Sequence, residues 1–335
     1  MKTVLVIGAS GFVGSHALQC LQKLQHVKLI AACRDPQRLR VPFDGDIRQG
    51  DLRDPDYVSA LLDGVDVVIN AMAWTSLWGH VRESERLFLQ PTLQLIDRFL
   101  ASDAHRYINI STTSAAAPEH SADPMSQGIP RNYWPHLCNV IRIENTLRSR
   151  ASADKSLVNM RLGIFAGEHY GLGILPILLP RLKTHLVPWV AGGSTGLPLI
   201  DGRDIGQALS LAATAEGLDG YQSFNVVGSS TPSIRDVIEY LHRQHGYPKP
   251  HFSVPFTAAY GFAWLMEKLD ALLPWEPLIV RSVVHLLENT HATNDRARDL
   301  LGYQPSCDWR QSVDMQVAEM TDRQQKPMAM ARPIY

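Results

Sequence analysis

Three glycines close to the amino terminus have the spacing of a phosphate-binding turn. Gly8, Gly11 and Gly14 stand between a β-branched run at residues 3–7 and the start of a helical pattern. In such a turn the first glycine permits the bend, the second lets the backbone approach a pyrophosphate, and the third allows the helix to pack on the sheet. Free N–H groups at the start of the helix attract phosphate. The predicted dinucleotide contacts are Gly8, Ser10, Gly11, Phe12, Val13 and Gly14.

The end of the second predicted strand bears on which dinucleotide binds. An acidic residue there would hydrogen-bond the adenine ribose hydroxyls and favour NAD. This chain instead has Cys33 and Arg34, followed by Asp35. Because a guanidinium pairs well with a 2′-phosphate, Arg34 favours NADP(H) over NAD(H). Two alternatives stay open: Arg34 as an ordinary surface residue, and Asp35 as a ribose ligand.

The elements that must position these residues alternate between strands and helices. Strands are predicted at residues 3–7, 27–33, 65–69, 106–111 and 157–161, and helices at 12–24, 54–62, 83–100 and 134–150. Such alternation predicts an α/β fold with a Rossmann-type, doubly wound parallel sheet that is covered by helices on both faces.

The second half of the chain has a looser pattern. Residues 166–199 are rich in Gly and Pro, and helices are predicted at 233–245, 256–273, 276–289 and 308–321. We expect residues 1–165, together with 200–228, to form the dinucleotide-binding domain. Residues 166–199 and 229–323 are expected to form a smaller, mostly helical substrate-binding cap over the end of the sheet, with residues 324–335 as a tail.

Composition excludes several classes of function. The chain has 335 residues, 45% of them hydrophobic, and a formal net charge of −1, so it lacks the basic excess of nucleic-acid-binding proteins. Its four cysteines lack metal-ligand spacing and lie far apart, which disfavours a metal site or a disulfide framework. Prolines and charges interrupt the longest apolar stretch, residues 174–190. We therefore expect a cytoplasmic protein that has no transmembrane segment, binds no nucleic acid and acts on a small molecule.

The glycine spacing and six later segments resemble the extended short-chain dehydrogenase/reductases, which are epimerase/dehydratase-like proteins. The segments are residues 50–54 (GDLRD), 70–73 (NAMA), 78–79 (WG, as in the hydroxysteroid dehydrogenase/isomerase branch), 161–167 (RLGIFAG), 200–205 (IDGRDI) and 297–305 (ARDLLGYQP). The resemblance implies the same Rossmann-type fold and a homodimer formed through the helices at 83–100 and 134–150. It also implies further cofactor contacts from Asp51, Leu52, Ala71 and Ala73.

In the resembled family, catalysis uses a Ser or Thr hydroxyl, a Tyr, a Lys four residues later and a supporting Asn. The Tyr exchanges a proton with the substrate oxygen while a hydride moves to or from the nicotinamide, and the Lys lowers the pKa of the Tyr. Thr113 best matches the family hydroxyl, because it lies in the polar run at 111–114 after a predicted strand. The resemblance thus implies interconversion of a hydroxyl and a keto group.

The Tyr–Lys pair of the family is missing from this chain. Leu137 stands four residues after Tyr133. If the helix is instead aligned on Glu144, which matches a family Glu eight residues after the Tyr, then His136 takes the Tyr position and Val140 the Lys position. Neither alignment contains the Lys, so the usual proton relay is absent.

Without the Tyr–Lys pair, other side chains must transfer the proton if the chain catalyses the reaction of the family. Phe88 stands where the supporting Asn is expected. His136 can serve as general acid or base, since imidazole titrates near neutral pH. Tyr133 without a neighbouring Lys would be a poor base. Both residues could instead simply pack the start of the helix. Three isolated histidines are interpreted as structural or solvated: His169, His185 and His285.

The first hypothesis is an NADP(H)-dependent oxidoreductase with Thr113, His136 and Tyr133 at its active site. Aromatic residues in the segments expected around the substrate favour an apolar molecule over a sugar nucleotide. Those residues are Trp74, Trp78, Trp134, Trp189 and Trp264. Two other hypotheses stay open: an NAD(P)-binding sensor, scaffold or partner subunit with a degenerate active site, and an isomerase or lyase without redox chemistry.

Overall fold

Strands and helices alternate through the first half of the chain, and helices dominate the second. A computed structural model describes residues 1–116, 123, 125, 128–270, 277–288 and 291–325. The strands are β1 (Lys2–Ile7), β2 (Val27–Cys33), β3 (Asp46–Gln49), β4 (Val67–Asn70), β5 (Arg106–Thr112), β6 (Ser156–Leu162), β7 (Ile164–Ala166), β8 (Trp189–Val190), β9 (Leu199–Asp201), β10 (Gly220–Val226) and β11 (Ser253–Val254). The α-helices are α1 (Phe12–Leu21), α2 (Pro55–Leu61), α3 (Val81–Ser84), α4 (Gln90–Leu100), α5 (Pro135–Ser149), α6 (Ile174–Leu182), α7 (Gly202–Thr214), α8 (Ile234–His245), α9 (Phe256–Leu269), α10 (Arg281–His285), α11 (Asp295–Leu301) and α12 (Trp309–Gln325).

Seven of the described strands form one parallel sheet in the order β10-β6-β5-β4-β1-β2-β3. β1 pairs with β2 on one side and with β4 on the other, so the direction of winding reverses at β1. Open α/β sheets bind ligands at this reversal, outside the carboxyl ends of the strands. The structure therefore confirms the predicted Rossmann-type fold.

Apolar strand residues explain why the sheet is covered on both faces. Every residue of β4 and of β6 is buried, as expected for parallel strands between two helical layers. One core contains buried side chains from α1 and α7, and the other contains side chains from α2, α4 and α5. The two layers hold the carboxyl ends of β1, β4 and β5 in fixed positions.

A smaller helical region is formed by segments that precede and follow β10 in the chain. α6, α8 and α12 enclose a separate core that includes Trp189 and Trp309. α9 and α10 share a further small cluster around Ala263 and Val284. In the part of the chain that the structure describes, no helix is long and apolar enough to cross a bilayer.

The largest differences from the predicted elements concern three segments. The helix predicted over 83–100 consists of α3, a π-helical turn at Glu85–Leu89 and α4. The helix predicted over 276–289 is limited to α10 among the described residues, since Pro277 cannot donate a helical hydrogen bond and restricts the residue before it. The edge strand β3 was not predicted, because its side chains are mostly exposed and it lacks an apolar run.

Candidate functional site

The turn between β1 and α1 is built so tightly that it requires glycines. Gly8 has a φ of +73°, and a Cβ placed there would lie 2.5 Å from the carbonyl oxygen of Ala71. A Cβ on Gly14 would lie 2.3 Å from the carbonyl oxygen of Gly8. The amide of Gly11 donates to that same oxygen at 2.9 Å. The glycines thus bring the first turn of α1 against the end of β1, as a pyrophosphate site requires.

The first turn of α1 has no side chain that would compete with an anion. Gly11 is the N-cap residue, no side chain caps the first-turn amides, and no acidic residue lies in that turn. The side chains of Phe12 and Val13 are buried in the core and do not cover the turn. Their backbone amides are therefore the groups that a phosphate would bind. Ser10 is partly exposed and offers a hydroxyl beside them. These residues fit a dinucleotide pyrophosphate.

Arg34, at the end of β2, is exposed, and its neighbours are already engaged. The Asp35 side chain accepts from the amide of Gln37 at 3.0 Å and caps the short helical turn at Pro36–Arg38. The Asp51 carboxylate forms a two-pronged ion pair with Arg53, whose hydrogen bonds lower the pKa of Asp51 to about 2. Among these residues Arg34 is therefore the best placed to meet a further anion, which weakens the alternative of Asp35 as a ribose ligand.

Asn70 shapes the loop after β4 that faces the glycine turn. Its side-chain amide donates to the Tyr107 hydroxyl at 2.9 Å and its oxygen accepts from the amide of Met72 at 3.2 Å. Ala71 is buried directly against Gly8, whereas Ala73 is exposed. Of the other residues predicted to contact the cofactor, Leu52 is buried in the core between the sheet and α2.

Thr113 lies in a cleft that also contains residues from the second half of the chain. It begins the short helical turn Thr113–Ala115 directly after β5, and the Thr112 hydroxyl oxygen accepts from the amide of Ser114 at 3.2 Å. The cleft is lined by Thr113, Ser114, Ala116, Ile164, Pro198, His285, Leu286 and Glu288. The hydroxyl predicted to orient a substrate is thus next to a mixed apolar and ionisable surface.

His136 lies on α5 in an aromatic environment. Its ring is 4.7 Å from that of Phe88 and 5.8 Å from that of Trp74, and Nδ1 is 3.4 Å from the Ser84 hydroxyl. Burial lowers the pKa of His136 to about 4. The imidazole is therefore neutral at neutral pH, where it can donate or accept a hydrogen bond but is a weak proton source.

Tyr133 is held by two arginines near the start of α5. The Arg281 guanidinium stacks over its ring at 4.3 Å, and Arg131 donates to its hydroxyl at 3.4 Å. Burial raises the pKa of Tyr133 to about 12, although Arg131 acts in the opposite direction. The phenol stays protonated, so Tyr133 can donate a hydrogen bond but cannot act as a base at neutral pH.

Glu144, on which the second alignment of α5 is based, forms a buried ion pair. Arg161 on β6 donates to both carboxylate oxygens of Glu144, at 3.0 Å from Nε and 2.5 Å from Nη2, and the Ser111 hydroxyl donates to the same carboxylate. His136 and Val140 precede Glu144 at intervals of four residues, which places all three on one face of α5. Val140, which this alignment would place at the position of the family Lys, is a buried apolar residue.

The cleft also contains an ionisable cluster that was not predicted from the sequence. His285 Nδ1 lies 3.1 Å from Glu288 Oε2, and Arg131 Nη2 lies 3.0 Å from the same oxygen. The His285 ring also packs edge-on against Trp134 at 5.7 Å. The three-residue spacing of His285 and Glu288 was the available signal, since residues three apart are neighbours in a helical turn.

Two of the five tryptophans expected around the substrate lie beside histidines of the candidate site: Trp74 against His136, and Trp134 against His285. Trp189 instead packs in the cap core under Arg235, and Trp264 is exposed on α9. Those two positions do not support an aromatic substrate site.

Comparison with known proteins identifies the family and agrees with the fold. Residues 4–226 match the family model described as the NAD dependent epimerase/dehydratase family. A 2-alkyl-3-oxoalkanoate reductase from Stenotrophomonas maltophilia is 25% identical over 317 residues, which cover 90% of this chain and 94% of that protein. A UDP-glucose 4-epimerase from Corynebacterium glutamicum is 24% identical over 303 residues, which cover 82% of this chain and 90% of that protein. The crystal structure of a UDP-glucuronic acid 4-epimerase from Bacillus cereus, in complex with UDP-glucuronic acid and NAD, has a TM-score of 0.72 at 18% identity and covers 96% of this chain and 100% of that one.

Proposed function

Because this chain belongs to the NAD dependent epimerase/dehydratase family, we propose that it is an NADP(H)-dependent oxidoreductase that interconverts a keto and a hydroxyl group on an apolar small molecule. The observation that carries this proposal is the position of Thr113, which stands after β5 in a cleft with apolar and ionisable lining. The carboxyl end of β5 belongs to the same sheet edge as the glycine turn after β1.

A bound nicotinamide supplies or accepts the hydride in this chemistry. The Thr113 hydroxyl orients the substrate oxygen by a hydrogen bond. His136, neutral because of its burial, and Tyr133, protonated because of its high pKa, are further hydrogen-bond donors near the start of α5. Both can polarise a carbonyl, but neither matches the Tyr–Lys pair of the family as a proton source.

The lining of the cleft favours a substrate with an alkyl or ring portion. Ala116, Ile164, Pro198 and Leu286 present apolar surface beside Thr113. The similar reductase from Stenotrophomonas is named for 2-alkyl-3-oxoalkanoates, molecules that combine a keto group with alkyl chains. We therefore favour 3-oxo acids or esters of this kind over sugar nucleotides.

Arg34 is the residue on which the preference for NADP(H) rests. Replacing Arg34 by Ala should weaken NADPH binding about 10-fold, because a charge-assisted pair with the 2′-phosphate is lost, and should leave NADH binding unchanged. Calorimetric titration of both proteins with both nucleotides measures this. Arg38→Ala, which removes an exposed arginine from the neighbouring turn, is the control. Equal loss of NADH and NADPH affinity in R34A would refute the assignment.

Reduction of a defined ketone tests the function itself. We expect the wild-type protein to oxidise NADPH with ethyl 2-methyl-3-oxobutanoate, a stable ester of the favoured class. Thr113→Val keeps the shape of the side chain and removes the hydroxyl, so kcat should fall about 100-fold while NADPH affinity is kept. Thr112→Val, at the adjacent capping residue, is the matched control and should retain most of the turnover. Full activity of T113V would remove Thr113 from the site.

Two observations favour a second function: position 140 has an apolar side chain, and the pKa of His136 is low. A protein that binds NAD(P) through an intact glycine turn but lacks an effective proton source would act as a sensor or partner subunit. Tight NADPH binding without turnover of any ketone or alcohol would support this second function over the first.

A further inference from the structure

His285 and Glu288 bring a second acid–base pair to the cleft that holds Thr113. Both residues line that cleft, although they belong to α10 and the turn after it and Thr113 follows β5. The His285 side chain is 5% exposed and that of Glu288 is 20% exposed. A histidine that shares such an enclosed cleft with the candidate substrate-orienting hydroxyl is well placed for proton transfer.

Glu288 can remain ionised in this enclosed position because its contacts with His285 and Arg131 stabilise the carboxylate. Burial opposes ionisation, but the contacts with His285 and Arg131 outweigh it, and the pKa of Glu288 is lowered. Arg131 also donates to the Tyr133 hydroxyl, so a continuous set of polar contacts leads from Tyr133 through Arg131 and Glu288 to His285. None of these residues stands at the sequence position of a catalytic residue of the family. The network nevertheless places a carboxylate beside the imidazole of His285.

The contact between the two side chains defines the role of each ring nitrogen. Nδ1 lies 3.1 Å from the Glu288 carboxylate, close enough for a hydrogen bond but turned away from good alignment. Catalytic hydrogen bonds are often poorly aligned before substrate binds and tighten afterwards. A proton that Glu288 holds on Nδ1 leaves Nε2 as the ring nitrogen for a substrate.

We propose that His285, oriented by Glu288, is the residue that exchanges the proton with the substrate oxygen during the keto–hydroxyl interconversion. This inference rests on the proposed function. In the reducing direction the carbonyl carbon gains a hydride, the C=O π electrons move to the oxygen, and that oxygen takes a proton from Nε2 of the imidazolium. The imidazole is left neutral and regains a proton from solvent. Oxidation runs through the same atoms in reverse.

Histidine NMR of the protein without added nucleotide tests the pairing apart from turnover. In long-range ¹H–¹⁵N spectra of histidine-labelled protein, we expect the His285 signals, assigned by their loss in His285→Gln, to show a protonated Nδ1. Glu288→Gln should alter these signals, since the carboxylate that holds the Nδ1 proton is gone. An unprotonated Nδ1, or signals unaffected by E288Q, would overturn the proposal.

Turnover of ethyl 2-methyl-3-oxobutanoate tests the proton transfer. His285→Gln should lower kcat at least about 100-fold with NADPH affinity kept within about twofold, and His251→Gln, at an exposed histidine outside the cleft, should not. Added imidazole should restore part of the turnover of His285→Ala, which a purely structural role would not allow. If the wild type reduces the ketone and H285Q does so equally well, the role of His285 is wrong and the proposed function stands. If the wild type binds NADPH but reduces no ketone, the proposed function fails, and this inference fails with it.

Discussion

Replacing Arg161 by Met should lower the free energy of unfolding by about 3–5 kcal/mol, because it leaves the Glu144 carboxylate buried without its counter-charge. Arg161 is 0% exposed and Glu144 is 3% exposed, so water cannot replace the lost partner. Denaturant unfolding of the two proteins at neutral pH measures the difference. A loss below about 1 kcal/mol would show that the pair is far better solvated than the structure indicates.

An exposed pair on the same helical layer is the matched control. Arg150 and Asp97 lie 3.2 Å apart with side chains that are 53% and 60% exposed, so Arg150→Met should cost less than about 1 kcal/mol. Replacing both Glu144 and Arg161 by Met should recover much of the stability lost in R161M, since no uncompensated charge then remains. No recovery in the double variant would mean that the loss comes from packing or from other Arg161 contacts.

Replacing Gly8 by Ala should weaken NADPH binding by at least about 100-fold. The added Cβ would lie 2.5 Å from the Ala71 carbonyl oxygen, and the φ of +73° is unfavourable for Ala, so the turn that holds the pyrophosphate must move. Calorimetric titration of folded G8A with NADPH measures this loss. Binding within about threefold of wild type would contradict the assigned role of the turn.

Gly64→Ala is the control that separates the steric collision at Gly8 from the effect of backbone strain. Gly64 has a similar φ of +65°, but a Cβ there would meet nothing within 4 Å. Gly64→Ala should therefore cost about 1 kcal/mol of stability and leave NADPH affinity intact. The comparison shows whether loss of binding in G8A comes from the collision at the turn or from strain alone.

Local patterns explain why much of the fold could be predicted. The glycine spacing after β1 specifies a turn by itself, and Asp54 before Pro55 marks the start of α2, where the Asp54 side chain caps the amides of Asp56 and Tyr57. The β-branched strands are buried on both faces and stand out from their surroundings. In each case the residues that decide the structure are close together in the chain.

The rest of the site depends on contacts between distant segments. The pairing of Glu144 with Arg161 requires α5 to lie over β6. His285 and Thr113 can line the same cleft only if α10 lies near the carboxyl end of β5. The cluster around His285 could be predicted only in part, because Arg131, which binds the same Glu288 carboxylate, comes from a loop before α5. The low pKa of His136 is likewise a consequence of the aromatic rings around it.

The absence of the Tyr–Lys pair separates this chain from the usual sequence pattern of its family. The apolar side chains of Leu137 and Val140 are buried where either alignment would place the Lys. A neutral His136 and a protonated Tyr133 leave the reaction without a strong acid or base on α5. The proposed reductase activity therefore requires hydride transfer in a site that lacks the Tyr–Lys pair of the family.

Transfer of deuterium from NADPH labelled at nicotinamide C4 tests hydride transfer most directly. The wild-type protein is incubated with each of the two C4-deuterated epimers and ethyl 2-methyl-3-oxobutanoate, and the alcohol is analysed by mass spectrometry. The account predicts that one epimer places deuterium on the carbon that carried the keto group. Tight binding of NADPH with no deuterated alcohol from either epimer would contradict the reductase function and favour a binding role for the site.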